Sequence, residues 1–508
     1  MKVGNLETFV LLVLRCRGVQ LVADHTLRAV QLYPISAVQV IFAPNRRNAM
    51  THTCVRPSPV RRNGIAVGKV LFASLVLVLL ALAERPAHGQ VLLTETTWGG
   101  TGAEVATAVA TAADGSAYLV GSTDSFAFDQ FGQPATRMFI VKLSNGAVIW
   151  QRIWNGPTIV GVTDASVAVA ADGSVYVAGI TADGGGDAVL MKFDPNGNLL
   201  WVRAWGGNQS DSAGAVATHS DGSVYVAGRT TSFGPSSAGV FVLKFDPTGT
   251  LVWQRLWDNA AGFEAMTVSP DGSIYAASSK LRGNDLSQFD VMVLKLTSAG
   301  ALVWARTYGA GEVVDARGGM AAAADGSIYT AGAIQAAKGG GIIGINALVL
   351  KIGSDGSLLF GKECCTKGGD TGEGIAVAPD GSILLAGTTT VLGVGFQDAF
   401  VARLESTGKK VTAAATWGGT GFESGGGVAA AADNTVRLAA TTSQGPPYSL
   451  LDASLKLSAP KFTVATPTGA LVDPAGTVSI PPHGASVPAG STTYSGNFES
   501  ALISLTLP

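Results

Sequence analysis

Five acidic residues stand ten places before a recurring aspartate, Glu104, Asp211, Asp315, Asp370 and Glu423, and two more copies have Asp164 and Glu264 slightly later. Carboxylates repeated in this way could form a ring that draws calcium or a cationic ligand. Each could equally accept the backbone N–H groups of its own connection, and that is the favoured reading, so no cofactor is expected and calcium is the one ion to consider. A second recurring set is basic: Lys142, Lys192, Lys244, Lys295, Lys351, Arg403 and Lys456. A lysine fixed at one strand position covers apolar surface with its stem and keeps its amine wet. Other chemistry lacks material. Beyond residue 89 there are only His219 and His483, and Cys364-Cys365 are the only cysteines. A histidine triad, a zinc site and a disulfide framework therefore have almost nothing to work with. A paired-carboxylate glycosidase would need one unique pair, whereas these acids recur unit by unit.

The elements that position these residues come from a repeat. Asp-Gly-Ser recurs at Asp114, Asp172, Asp221, Asp271, Asp325 and Asp380, with Asp433-Asn434-Thr435 as a degenerate seventh copy. Four places later stand Tyr118, Tyr176, Tyr225, Tyr275 and Tyr329, then Leu384 and Arg437. Each unit of roughly fifty residues holds four short β-prone runs, with Asp-Gly or Asp-Pro-x-Gly between them, the signals of tight hairpins. Four antiparallel strands repeated at this period describe propeller blades. The expected fold is an all-β, seven-bladed β-propeller over residues 90–460.

Trp98, Trp154, Trp205, Trp257, Tyr308 and Trp417 end the fourth runs, with Cys364 in the same slot, and they are expected to anchor blade against blade. Trp150, Trp201, Trp253 and Trp304 lie four residues earlier than that slot, so all nine tryptophans belong to the repeat. Val91–Trp98 looks like a fourth strand without its first three and is expected to close the ring by completing the last blade. Lys461–Thr466 is the competitor for that slot. Residues 461–508, rich in Pro, Gly, Ser and Thr, read as a tail.

The pattern resembles the SBBP family of secreted bacterial seven-bladed propellers. Asp221 to Gly228, Lys244 to Gly249 and Trp201 to Gly207 carry the likeness, which spans residues 91–458 and weakens in the last three copies. It implies an exported bacterial surface or matrix protein without shared catalytic residues. A weaker likeness is to quinone-dependent dehydrogenases. Asp246-Pro247-Thr248-Gly249 with Trp253 is similar to their tryptophan-docking repeat, one residue short, and Cys364-Cys365 is similar to their adjacent-cysteine cap. The calcium constellation those enzymes need is not in the chain.

Charge and hydropathy place the chain in the cell. Residues 1–89 carry 11 Lys+Arg against 3 Asp+Glu, and the rest carry 23 against 33. An acidic body argues against nucleic acid, which is held by Lys and Arg on phosphates. Arg56, Arg61, Arg62 and Lys69 precede the apolar run from Val70 to Ala83, which is about 21 Å long as a helix and short of the ~30 Å membrane core. With small residues at Ala87 and Gly89, residues 50–89 read as a signal peptide cut at Gly89-Gln90, and residues 1–49 as an extension ahead of the true start at Met50. No membrane span is expected after cleavage. The expectation is an exported, monomeric, non-catalytic scaffold, secreted or in the envelope. Its face of second-to-third-strand loops would bind a protein, glycan or surface; a quinone-dependent dehydrogenase is the alternative.

Overall fold

A computed structural model describes residues 13–16, 19–23, 30–33 and 91–507, except for stretches at 127–134, 155–164, 182–184, 235–238, 259–262, 283–284, 310–313, 316–317, 339–340, 366–368, 444–448, 453–455, 459–460, 462, 468–470, 473–476, 480–484 and 487–498. The proposed signal segment and its cleavage site lie outside the described residues. The chain divides into two units, Met1–Pro86 and Ala87–Pro508. In the first, Val13–Cys16, Val19–Ala23 and Val30–Tyr33 form a three-stranded antiparallel sheet.

The second unit is a seven-bladed propeller. Blade 1 runs Glu104–Thr111, Ala117–Thr123, Arg137–Ser144, Ala147–Trp154, each strand antiparallel to the next. Blades 2 to 6 repeat this order, beginning at Ser166, Asp211, Phe263, Val314 and Asp370. The hairpins are as tight as the Asp-Gly signals require. Gly173, Gly222, Gly272, Gly326 and Gly381 have φ near +80°, which costs glycine nothing. The preceding aspartate closes each turn from the side, as where Asp172 Oδ1 accepts the Ser174 amide at 2.9 Å. First strands of neighbouring blades pack on one another around the centre.

Between blades the aromatics form two layers. In the inner one, each residue ending a fourth strand is buried against the following blade: Trp154 clusters with Val175 and Val177, Trp205 with Val224 and Phe241, and Trp417 with Val436 and Ile503. A buried Trp withdraws ~150–250 Å² from water, worth about 4–6 kcal/mol as an upper bound. The outer layer is a clasp. Trp150 Nε1 and Lys142 Nζ both donate to the carbonyl of Pro195 in the next blade's third-to-fourth turn, at 3.0 and 3.2 Å. Arg152 Nε donates to Gly197 O at 2.6 Å. The same trio recurs as Trp201, Lys192 and Arg203 on blade 3, and as Trp253, Lys244 and Arg255 on blade 4. Blade 4 clasps blade 5 through Trp304 and Lys295 on Ser354 O. The indole lies against the turn glycine so closely that a Cβ on Gly249 would stand 3.0 Å from Trp201.

Blade 7 closes the ring, and here the structure departs from part of the expectation. Its strands are Glu423–Ala430, Val436–Thr442, Glu499–Thr506 and Val91–Trp98. The N-terminal strand takes the fourth place, as expected, and Lys461–Thr466 does not. The third strand comes from the far end of the tail, so Ser504, not Lys456, faces Arg437 where the other blades put their basic residue. Lys456 instead pairs with Cys365 on the outside of blade 5. On its way to blade 7 the tail adds a short outer strand to every other blade in reverse order. Ser449–Asp452 pairs with blade 6, Lys456–Ser458 with blade 5, Thr463–Ala465 with blade 4, Leu471–Val472 with blade 3, Thr477–Ser479 with blade 2 and Ala485–Ser486 with blade 1. The tail is a belt.

Candidate functional site

In a four-stranded meander, the second-to-third loops and the blade connections share one face. Blades 4 and 5 build this face from long hairpins, pairing as far as Arg282↔Asp285 and Lys338↔Gly341. Glu104, Asp211, Asp370 and Glu423 begin their first strands there and are all fully buried. Glu104 accepts the Gly100 amide at 3.0 Å and the hydroxyls of Thr123, at 2.7 Å, and Ser125. Asp211 accepts the Gly207 amide at 2.8 Å and the Ser232 hydroxyl at 2.7 Å. Glu423 accepts the Gly419 amide at 2.9 Å and the Thr442 hydroxyl at 3.2 Å. Each of these three therefore ties a connection to a second strand. Glu264 and Asp315 lie in the strands Phe263–Val268 and Val314–Asp315, their side chains undescribed, and Asp164 lies outside the described residues. Among the described residues no three His, Cys, Asp or Glu are grouped to hold a metal.

Sequence reasoning missed a second acid. Asp398 starts the third strand of blade 6 and is buried beside Glu423: a Cβ on Gly418 would collide with Asp398 Oδ1 and stand 2.8 Å from Glu423 Oε2. Asp187 and Asp211 stand likewise around Gly206. Burial pushes the Asp398 carboxyl above its ordinary range, against the amides of Gly395 and Val394. Burial also raises Glu423, and the neighbouring Asp398 charge adds to it. No spacing in the sequence marks this pair, because the loop before Asp398 varies in length between blades.

Two residues before Asp398 and one before Glu423 stand two exposed aromatic side chains. Phe396 is 72% exposed and Phe422 54%, and their rings stack at 5.4 Å with planes 15° apart. Val391 and Val394 are exposed beside them in the same loop. The platform is held by backbone: Phe396 N donates to Gly421 O at 3.1 Å and Glu423 N to Gln397 O at 2.8 Å, around a parallel bridge between Gln397 and Phe422. Gly395 is required, since a Cβ there would come within 2.8 Å of the carbonyls of Gly419 and Gly421. In the fourth strand of blade 5, Cys364 is buried and packed against Ile383 and Phe400, in the slot where other blades carry Trp.

The fold and this face define an all-β, seven-bladed propeller carrying a loop platform. Residues 170–199 and 378–410 match the model of a family described as a domain of unknown function (DUF5122) beta-propeller. No curated protein matches the chain. Among solved structures, a protein of unknown function from Dyadobacter fermentans is 9% identical, with 83% of this chain and 100% of that one covered at a TM-score of 0.38. The polysaccharide lyase Uly1 is 11% identical, with 81% and 90% covered at 0.40. A puromycin hydrolase is 14% identical, with 71% and 54% covered at 0.38. Likenesses at this level carry no argument about activity.

Proposed function

We propose that this protein is an exported, non-catalytic propeller that binds its ligand, a protein or glycan, through the loop face around Phe396 and Phe422. The stacked pair carries the reading. Two exposed aromatics cost free energy in water unless a partner covers them, and a backbone-pinned loop on a rigid scaffold is where binding residues concentrate. Burying both rings would remove an apolar area large enough to anchor an interface. Export rests on the basic and apolar pattern of residues 50–89. The full chain and a Phe396→Ala/Phe422→Ala variant, probed on glycan and protein arrays, test the binding face. Ligands lost by the variant at an unchanged melting temperature support it, and ligands retained by the variant refute it. N-terminal sequencing of the protein recovered from its native host tests export, with Gln90 as the expected first residue.

A further inference from the structure

Asp398 and Glu423 share the space beside Gly418 at the junction of blades 6 and 7, and they are 1% and 0% exposed. The groups packed on them are neutral. Asp398 pairs with Thr389 of the second strand and takes the Gly395 amide on Oδ2 at 3.1 Å. Glu423 takes the Gly419 amide and the Thr442 hydroxyl. Asp398 Oδ1 has no hydrogen-bond partner among the described residues. Among those residues the only charge acting on Glu423 is that of Asp398, and no cation acts on either. Other junctions avoid this arrangement. In the place of Asp398, blade 1 has Arg137 and blade 5 has Asn346, while blade 4 has Asp290 with Arg282 Nε at 2.9 Å. Asp187 and Asp211 repeat the acid pair at blades 2 and 3, yet the stretches before them, residues 181–186 and 208–210, hold no aromatic residue.

Two neighbouring carboxyls that are out of water and without a cation resist carrying a charge each. The pair therefore keeps a proton at a pH where an ordinary carboxyl has lost its own, and titrates as a unit. Losing that proton sets two like charges on two segments of chain. Those segments carry the platform: Phe396 stands two residues before Asp398, and Phe422 adjoins Glu423. They are bridged by Phe396 N on Gly421 O at 3.1 Å and by Glu423 N on Gln397 O at 2.8 Å. Repulsion between the carboxylates acts on the same backbone bridge that keeps the rings stacked.

We propose that Asp398 and Glu423 form a proton switch for the Phe396–Phe422 platform: a shared proton keeps the two segments bridged and the rings stacked, and its loss parts them. The switch rests on the reading of that platform as the binding face, and it makes binding there tighter in mildly acidic surroundings. Hydrogen exchange of the full chain, followed by mass spectrometry, reads the bridge without any ligand. The peptides to follow span residues 391–398 and 419–424, which contain the bridging amides of Phe396 and Glu423. After correction for the intrinsic rate, their protection is expected to be at least ~10-fold lower at about pH 8 than at about pH 5, with no such change in Ala117–Thr123 of blade 1. Asp398→Asn and Glu423→Gln each remove one of the two charges and are expected to abolish the difference; either serves if the other fails to fold. Equal protection at the two pH values in the unaltered chain, or a difference that survives in a folded variant, overturns the switch. Arrays run at the same two pH values separate it from the binding reading. A ligand that needs Phe396 and Phe422 yet binds equally at both refutes the switch and leaves the binding face standing. Ligands kept by the Phe396→Ala/Phe422→Ala variant refute the binding face, while the exchange difference, read without them, still supports the proton-linked bridge.

Discussion

At the scale of single residues, the buried acids separate into two kinds. Glu104 has donors on both carboxyl oxygens, whereas Asp398 has an Oδ1 without a partner among the described residues and a second carboxyl beside it. A carboxyl raised by burial favours folding in its protonated form, so its contribution is complete below its unfolded value and is lost as pH rises through the folded one. Asp398→Asn is therefore expected to stabilise the protein at pH 7–8 by on the order of 1 kcal/mol, and by less near pH 4. Denaturant unfolding at the two pH values measures the difference; a variant equally destabilised at both would refute the account. This pair was not legible in the sequence. The turn aspartates were, because each stands at a fixed distance from a tyrosine or its replacement, while Asp398 follows a loop of variable length.

Among the elements, the strand Glu499–Thr506 does the most. Ala501, Ile503 and Leu505 alternate inward and are wholly buried between the second and fourth strands of blade 7. Ile503→Ala is expected to cost about 2–5 kcal/mol, as large-to-small core changes do. Val464→Ala, at an exposed position of the belt strand on blade 4, is expected to stay within about 0.5 kcal/mol. Equal effects in urea unfolding would mean that the two strands share one role. The sequence concealed this strand for a physical reason. It carries neither the Lys nor the Asp-Pro-x-Gly turn of its counterparts, and it joins its blade some 55 residues after the preceding strand. The belt strands were hidden more deeply, since two to four residues held by backbone pairing leave no side-chain period to read.

Over the whole molecule, the seven turn aspartates act together. Asp114, Asp172, Asp221, Asp271, Asp325, Asp380 and Asp433 are all held below the ordinary carboxylate range, with the amide two residues on as a shared cause. For a lowered group the stabilisation is present above the unfolded value and lost as pH falls through the folded one. Melting temperature is expected to hold near neutrality and fall once pH drops below about 4. A flat profile down to pH 2 would show that these turns contribute little. The overall architecture was legible because one turn, one tyrosine and one tryptophan recur in every regular unit. The third strand of blade 7, drawn from the far end of the tail, is the departure that the repeat does not show.

The belt also bears on the exposed edges of the blades. A sheet's rim exposes amides and carbonyls in search of partners, which invites pairing between chains. Blades 1 to 6 have that rim occupied by the chain's own tail, and the outer rim of blade 7 is Val91–Trp98, with Leu92 and Leu93 turned to solvent. Among the described residues, Val91–Trp98 is thus the one eight-residue outer strand with no belt strand on it, and it is where pairing with a strand of another molecule is expected.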